Sequence, residues 1–262
     1  MSSNTSKGLG KKGSKLWMGL VVNVGCLRRE IEDLILGDAH SLQKDYIATS
    51  NAGNRLHWIC PLQEEDFSEY ELKQLDTEKI FGMNTQAARE FFEFWPQRQP
   101  QWDGLATSLD GEILYLIEAK SHESEMSTKF SGAKRSQDIE TEQAEKNRIL
   151  IEDSIQEAQK ELFNQEDNSL WTDGFYQLGN RLTFLYFLQK GIKEGKISKI
   201  KNVKLVMLNF ADDFTMTQQP TIDAWEKHYK RVWERMTGNM KTPEEVDVLI
   251  RHYSVKGESI QF

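Results

Sequence analysis

The feature that most constrains the fold is an unbroken apolar run, Ile113 to Ile117, with charged residues directly after it. Because all five side chains are apolar, the pattern favours a strand covered on both faces over an alternating, half-exposed one. Asp110-Gly111, just before the run, is a tight-turn signal, and Trp102 to Ser108 has the composition of a partner strand. The sequence therefore predicts a hairpin whose second strand, Ile113 to Ala119, is buried.

Helices and a further strand are predicted on both sides of this hairpin. In Thr85 to Trp95 the apolar residues recur at helical spacing, and Pro96 ends that helix. Beyond the hairpin, the patterns predict a helix over Ile139 to Phe163 and a helix over Gly174 to Gln189, which Asp173 caps and Gly191 closes. A buried strand is predicted over Val203 to Phe210. A helix over Thr221 to about Met236 and a short helix after Pro243 follow. This order predicts an α/β or α+β sandwich, a mixed sheet flanked by helices.

The first eighty residues carry weaker signals. Residues 1–15 are rich in Ser, Gly and Lys and are predicted to be a disordered tail. The apolar stretch Leu16 to Val24 has some likeness to a signal peptide, but Asn23 interrupts it, and a strand is the simpler interpretation. A helix over Leu27 to Leu36 and a short strand over Leu56 to Cys60 follow. We expect a single domain over 16–262, with its core at about 84–210 and additions at 16–83 and 211–262.

Composition bears on partners and compartment more than on fold. The content of 38% hydrophobic residues, with seven Trp and thirteen Phe, argues against disorder. The net charge of -8 does not suggest a histone-like binder, yet one basic face would suffice to meet phosphates. The lysine-rich run Lys190 to Lys204 is interpreted as solvated surface.

Cys26 and Cys60 lack metal-ligand spacing and predict reduced thiols in a cytoplasmic protein without zinc. No run approaches the ~18 apolar residues that cross a bilayer, so no membrane partner is expected.

Charged residues at the ends of the two hairpin strands form the candidate site. Glu118 and Lys120 are two apart and project from the same face of a strand, and the hairpin can bring Asp103 beside them. Two carboxylates so close repel each other unless a divalent cation lies between them, and oxygen ligands without Cys or His favour Mg²⁺ or Mn²⁺. Such a cation activates a water and neutralises phosphate charge, while Lys120 would hold the water or stabilise the transition state.

This arrangement resembles the PD-(D/E)xK nuclease superfamily, in which an acid is followed, after a gap, by acid-any-Lys on the next strand. Asp103, Glu118 and Lys120 match these three positions. The Pro of the motif, often missing in the superfamily, is replaced by Trp102. The resemblance implies a restriction-endonuclease-like core of a mixed β-sheet flanked by helices, with N-terminal and C-terminal helical additions. It implies a metal-dependent nuclease that hydrolyses phosphodiester bonds in DNA in preference to RNA, with a homodimer as one way to cut both strands.

The resemblance also implies further site residues. The backbone carbonyl of Ala119 would join Asp103 and Glu118 as a ligand of Mg²⁺ or Mn²⁺. A glutamate of the preceding helix often contributes as well; Glu90 is the candidate, with Glu93 as the alternative. Substrate contacts are expected from one face of the helix after Gly174 and from the polar stretch after Lys120, namely from Gln177, Asn180, Arg181, Lys129, Lys134 and Arg135.

Several alternatives remain open at the level of sequence. One alternative is a catalytically inactive module on the same fold that binds nucleic acid or protein. The charged residues can also form a purely structural salt bridge, between Glu118 and Lys120 or with Asp103. A glycosidase acid and base pair would leave Lys120 unexplained. His122 is interpreted as a rim histidine, and the aromatic stripe of the last long helix as packing residues, Trp225, Tyr229 and Trp233.

Overall fold

The computed structural model describes residues 8–37, 55–127, 142–167 and 169–256, and its centre is a five-stranded sheet. The strands lie side by side in chain order: β1 (Leu56–Cys60), β2 (Gly104–Ser108), β3 (Ile113–Lys120), β4 (Asn202–Ala211) and β5 (Val248–Ser254). The first three form an antiparallel meander, and β3, β4 and β5 are parallel. The predicted mixed sheet is therefore confirmed, with β3 as its middle strand.

Helices cover both faces of the sheet. They are α1 (Gly13–Asn23), α2 (Gly25–Leu36), α3 (Thr77–Phe81), α4 (Thr85–Phe91), α5 (Glu142–Phe163), α6 (Ser169–Asp173), α7 (Tyr176–Lys193) and α8 (Ile222–Thr237). Alternate residues of β3 point to opposite cores, as the pleat requires. Leu114 and Leu116 join the core built with α5, α7 and α8, whereas Tyr115 and Ile117 join the core built with α1 and α2. This double burial is the reason for the unbroken apolar run.

The predicted hairpin between β2 and β3 is confirmed. Gly111 has a φ of 76°, which a glycine adopts without strain, and its N–H donates to the Ser108 carbonyl at 2.9 Å. The Asp110 carboxylate closes the turn by accepting from the Glu112 N–H at 3.0 Å. In the resulting register Gly104 faces Ile117, so the residue before β2 lies beside the end of β3.

The strand predicted over Leu16 to Val24 is wrong, because this segment lies in α1. Its large apolar side chains fall on one helical face and pack against the sheet, which satisfies them without strand pairing: Trp17, Met18, Val21 and Val22. Asn23 ends the helix and donates to the Gly19 and Pro61 carbonyls at 2.8 Å. The helix begins at Gly13, inside the range expected for the tail. Strand β5 was not predicted at all.

The other predicted elements are found with shifted ends. Strand β2 begins at Gly104, and Trp102 instead makes an isolated antiparallel bridge with Tyr70. Asp173 does not cap α7, because it belongs to α6, and Gly191 does not close α7, which runs on to Lys193. Helix α5 is confirmed from Glu142 onward, and residues 139–141 lie outside the described residues. The remaining predictions, α2, α4, α8, β1, β4 and a short helical turn after Pro243 (Glu244–Val246), are confirmed within a few residues.

The lysine-rich run lies at the opposite end of the sheet from the carboxyl end of β3. Several of its members form surface ion pairs, Lys190 with Glu157, Lys196 with Glu194, Lys201 with Glu112 and Lys204 with Asp247. Both cysteines are free thiols, Cys26 exposed and Cys60 buried. Among the helices described, none is long and apolar enough to span a membrane.

Candidate active site

The antiparallel pairing of β2 with β3 brings the three predicted catalytic residues together. Asp103 immediately precedes β2, and its carboxylate accepts from the Ala119 N–H at 2.8 Å. Glu118 and Lys120 project from the same face of β3, and the Lys120 ammonium forms an ion pair with the Glu118 carboxylate. Lys120 also donates to the Ala119 carbonyl at 3.1 Å. The charged end of β3 is therefore one connected cluster.

Helix α7 supplies two further contacts to Glu118. The Gln177 side chain donates to Oε1 at 2.7 Å, and Arg181 Nε donates to Oε2 at 2.6 Å. Arg181 is itself held by the Gln101 carbonyl, at 2.8 Å, and by the Trp102 ring, whose centroid lies 4.5 Å from the guanidinium carbon. Glu118 and Arg181 are only 1% and 4% exposed. Gln177 and Arg181, predicted from sequence to share one helix face, thus both contact Glu118.

Asn180, the third residue predicted on that face, and Phe184, which follows it one turn later, have different positions. Asn180 is buried and accepts a hydrogen bond from Arg181 at 3.2 Å instead of extending to Glu118. Phe184 is completely buried and packs against the rings of Phe94, Trp95 and Trp102. The part of α7 that contacts Glu118 therefore lies in its first turns, where the helix passes the end of β3.

Burial and charge pairing fix the protonation of the Glu118 and Lys120 pair. Burial alone would raise the pKa of Glu118, but the charges of Arg181 and Lys120 outweigh it and hold that pKa below its ordinary value. Burial alone would lower the pKa of Lys120, but the negative charges of Glu118 and Asp103 raise it above its ordinary value. Both side chains are consequently charged at neutral pH.

Asp103 differs from Glu118 because nearby positive charge does not offset the effect of burial on its pKa. Burial, and next the charge of Glu118, raise the pKa of Asp103 to about 7, against the opposing effects of Lys120 and the Ala119 N–H. A carboxyl group with this pKa loses its proton near neutral pH at a cost to the fold. An additional cation beside Asp103 would remove that cost.

Glu69 is an acidic residue near the cluster that the sequence did not reveal. It is adjacent to Tyr70, whose carbonyl accepts from the Trp102 N–H at 3.1 Å, so the bridge brings it close to Asp103. Burial raises its pKa, Lys15 at 3.8 Å opposes this, and the charge of Glu118 adds to the rise. The segment around Glu69 has no periodicity, and only this long-range bridge positions it.

The remaining predicted residues are not brought to the cluster. Glu90 is exposed, and its carboxylate accepts from Gln86 at 2.6 Å, so its selection as a metal ligand is not supported by its position. Glu93 is also exposed. The physical reason is that α4 packs against Gly191, which lies roughly 15 Å along α7 from Arg181. The predicted phosphate contacts Lys129, Lys134 and Arg135 lie outside the described residues.

The donor atoms at the cluster suit a hard divalent cation. Asp103 and Glu118 offer carboxylate oxygens and Ala119 offers a carbonyl, which is the donor chemistry of Mg²⁺ or Mn²⁺; Mg²⁺ commonly takes only one or two carboxylates and keeps several waters. Within the described ranges no group of three or more His, Cys, Asp or Glu side chains is arranged to hold a metal. Both oxygens of Glu118 already accept from protein donors, so a cation would share this carboxylate with Lys120 and Arg181.

His122 lines a cavity of about 540 Å³ whose lining does not include Asp103, Glu118 or Lys120. Its Nδ1 hydrogen-bonds with Ser124 at 2.7 Å and its Nε2 with Gln218. On the same cavity, His228 Nδ1 lies 3.3 Å from Glu123. These contacts agree with the interpretation of His122 as a rim residue.

The aromatic stripe of α8 is confirmed as packing. Its three members are buried in the core between α8 and the sheet, at 0%, 3% and 5% exposure: Trp225, Tyr229 and Trp233. They do not form an exposed stacking surface.

Comparison with known proteins adds no relative. The chain matches no protein-family model, no curated protein and no solved structure. The functional argument therefore rests on the geometry and chemistry of the cluster around Glu118.

Proposed function

We propose that this protein is a metal-dependent nuclease that hydrolyses phosphodiester bonds, in DNA in preference to RNA. The observation that carries the proposal is the position of Asp103, a carboxyl group with a pKa of about 7, beside the buried ion pair of Glu118 and Lys120. Both cations of the cluster, Lys120 and Arg181, form ion pairs with Glu118, whereas the hydrogen bond described for Asp103 comes from a backbone N–H. A divalent cation and a phosphate together would complete it.

Each residue has a specific role in this proposal. Asp103, Glu118 and the Ala119 carbonyl hold the cation, and Gln177 and Arg181 fix the orientation of Glu118. When bound, the ion supplies positive charge to the phosphate and makes an attacking water more acidic. Lys120, charged and held at the rim of β3, stabilises the negative charge that develops on the phosphoryl oxygens. Its ammonium is within hydrogen-bond distance of both Glu118 and Ala119.

The topology supports the proposed restriction-endonuclease-like core. The resemblance implies a helix, a strand hairpin or meander, a helix and a further strand, with the acid-any-Lys residues on the strand that follows the first acid. In this chain α1 and α2 precede the meander β1, β2 and β3, and α7 leads into the parallel strand β4. The proposed core thus extends further towards the N terminus than residue 84.

A second candidate function is a binding module without catalysis. One observation favours it: both oxygens of Glu118 are satisfied by Lys120, Gln177 and Arg181 in a network that needs no metal. Under this alternative the chain would bind nucleic acid equally well with or without a divalent cation and would release no product. The raised pKa of Asp103 argues for the enzyme.

A cleavage assay with the purified chain tests the proposal. Supercoiled plasmid, single-stranded DNA and RNA are each incubated with Mg²⁺, Mn²⁺ or EDTA, with Glu118→Gln and Lys120→Met beside wild type and exposed Glu234→Gln as a matched control. We expect metal-dependent cleavage that the first two variants lose and the control keeps. Linear rather than nicked plasmid would indicate the proposed homodimer. Binding without cleavage in either metal would favour the binding module, and cleavage that survives both variants would refute the site.

A further inference from the structure

The cavity of about 540 Å³ that His122 lines has no role in the proposed reaction so far. We call it the rim cavity. Its volume lies within the range of roughly 300–1,000 Å³ that is usual for small-molecule sites, so it has room for one ring-sized ligand. The segment after β3, and α8 with the loop before it, contribute most of its lining, including His122, Ser124, Ser127, Gln218, Gln219 and His228.

The chain that leaves β3 places the rim cavity beside the candidate active site. His122 is two residues beyond Lys120, so the Cα atoms of these residues are at most about 7 Å apart. The Ser121 N–H donates to the Glu125 carboxylate at 3.1 Å, and the charge of Glu125 contributes to the raised pKa of Lys120. The turn that forms one side of the cavity is therefore within electrostatic range of the cluster.

Helix α8 reaches the same end of the sheet from the other side of the cavity. Its residue His228 lines the cavity, and the next residue, Tyr229, donates from its hydroxyl to the Asn209 side chain at 3.0 Å. Asn209 is the β4 residue that pairs with Lys120. The rim cavity thus lies between the end of β3 and α8, at the level of Lys120.

The lining of the rim cavity is polar but carries little charge. Among the described residues that line it there is no Lys or Arg, and its one carboxylate, Glu123, lies 3.3 Å from His228 Nδ1. Burial lowers the pKa of His228 against the opposing charge of Glu123, so this ring is uncharged at neutral pH. Such a lining does not attract a phosphate group, and it suits an uncharged polar ring.

Two consecutive glutamines offer hydrogen-bonding atoms to such a ring. Gln218 uses its side-chain oxygen in the hydrogen bond with His122, and its amide nitrogen has no partner in the described part of the chain. Gln219 donates from its amide nitrogen to the Met216 carbonyl at 3.3 Å, and no described residue donates to its side-chain oxygen. One amide donor and one amide acceptor together match the edge of a nucleobase, as when Gln pairs with adenine.

The loop that carries these glutamines is held in place at its end. The Pro220 carbonyl accepts from the Asp212 N–H at 2.9 Å, and the Thr221 side chain caps α8 by accepting from the Ala224 N–H at 3.3 Å. Pro220 also lines the cavity, and its ring and the His122 imidazole provide flat faces for stacking. A preformed site of this kind loses little conformational entropy when a ligand binds.

We propose that the rim cavity binds one unpaired nucleobase of a DNA strand, while the phosphate of the same nucleotide lies at the end of β3. This inference rests on the proposed nuclease function and identifies its substrate class, DNA with an unpaired base next to the cleaved bond. A base inside a duplex is stacked and paired, so it enters a cavity only after extrusion from the helix. Single-stranded DNA does not have this cost.

Fluorescence anisotropy in EDTA at low salt measures the binding without cleavage. The probes are a short labelled single-stranded DNA, the same strand annealed to its complement, and a strand of equal length in which every residue is abasic. Ser127→Phe fills the cavity from an exposed position, and Gln218→Met removes the amide donor at nearly constant size. Gln86→Met, an exposed residue of α4, is the matched control.

We expect wild type to bind the single strand about 10-fold more tightly than the duplex or the abasic strand, as one stacked and hydrogen-bonded base would give. Ser127→Phe should lose this preference, and Gln218→Met should weaken binding of the single strand by about fivefold. The control should bind all three probes like wild type.

The outcomes separate this inference from the proposed function. A preference for the single strand that only the two cavity variants lose, in a chain that never cleaves in Mn²⁺, supports the base site and refutes the nuclease. Cleavage by a chain whose probe preference is the same in wild type and Ser127→Phe refutes the base site alone. Equal binding of single strand and abasic strand by wild type overturns the inference, as does the absence of binding to the single strand.

Discussion

Replacing Asp103 by Asn is expected to stabilise the protein at pH 8 in the absence of metal. The carboxyl has a folded pKa of about 7, above the ordinary 3.8. Between these two values the folded chain binds a proton that the unfolded chain has lost, so the free energy of unfolding falls as the pH rises from about 4 to about 7. Above pH 7 the free energy of unfolding stays lower by the full amount, because the carboxyl is then ionised in both the folded and the unfolded chain. Asparagine is uncharged at every pH, and its side-chain oxygen can still accept from the Ala119 N–H, which now lies 2.8 Å away.

The magnitude follows from the two pKa values. A difference of about three between them corresponds to at most about 4 kcal/mol, at about 1.4 kcal/mol for each pH unit. Asp103 is only partly buried, so solvent screening reduces the effect, and a gain of about 2 kcal/mol at pH 8 is the working expectation. At pH 4 the two proteins should be nearly equal in stability.

The difference in the free energy of unfolding between Asp103→Asn and wild type is measured by urea unfolding. Tryptophan fluorescence follows the unfolding, at pH values from 4 to 8.5 in EDTA. The exposed Asp223→Asn on α8 is the matched control and should show no comparable gap. Adding Mn²⁺ at pH 8 should stabilise wild type and leave Asp103→Asn unchanged, because the cation compensates the same carboxylate. The reasoning is refuted if Asp103→Asn is less stable than wild type at pH 8, or if the difference between them does not depend on pH.

Three further predictions concern the surroundings of the cluster. Arg181→Met should lower the free energy of unfolding by about 3–5 kcal/mol in urea, because it leaves Glu118 buried with one cation fewer, and Arg181→Lys should lose less. Gly179→Ala should cost about 1–3 kcal/mol in the same assay, because a Cβ there would lie 2.9 Å from the Trp171 carbonyl oxygen. Glu90→Gln should change neither cleavage rate nor the response of the melting temperature to Mn²⁺, since its carboxylate contacts Gln86 at the surface; a loss of either would return Glu90 to the site.

The parts of the fold that sequence could predict are those fixed by local chemistry. The Asp110-Gly111 turn and the double-sided burial of β3 are local properties, and together they set the register that brings Asp103 to Glu118. Helical spacing predicted that Gln177 and Arg181 share one helix face, and the family resemblance predicted that this face lies near the cluster, where both side chains contact Glu118. In each case one short segment contains the whole signal.

The parts that sequence missed depend on distant partners. The apolar stretch of α1 suits either a strand or a helix, and only packing against the sheet decides between them. Strand β5 turns polar at Arg251 and His252 and is held by its parallel pairing with β4. Glu69 lies near the cluster because Tyr70, the next residue, forms an isolated bridge with Trp102. No periodic pattern in the sequence predicts this bridge.

Cleavage of labelled DNA by Asp103→Asn in Mn²⁺, under single-turnover conditions, tests the central claim most directly. This variant is expected to be folded, and at pH 8 without metal to be more stable than wild type, so a loss of activity cannot be attributed to unfolding. The account predicts that wild type cleaves and that Asp103→Asn is slower by at least about 100-fold, because the variant lacks one of the two carboxylates that would hold the cation at the reacting phosphate. A folded Asp103→Asn that cleaves as fast as wild type would contradict it.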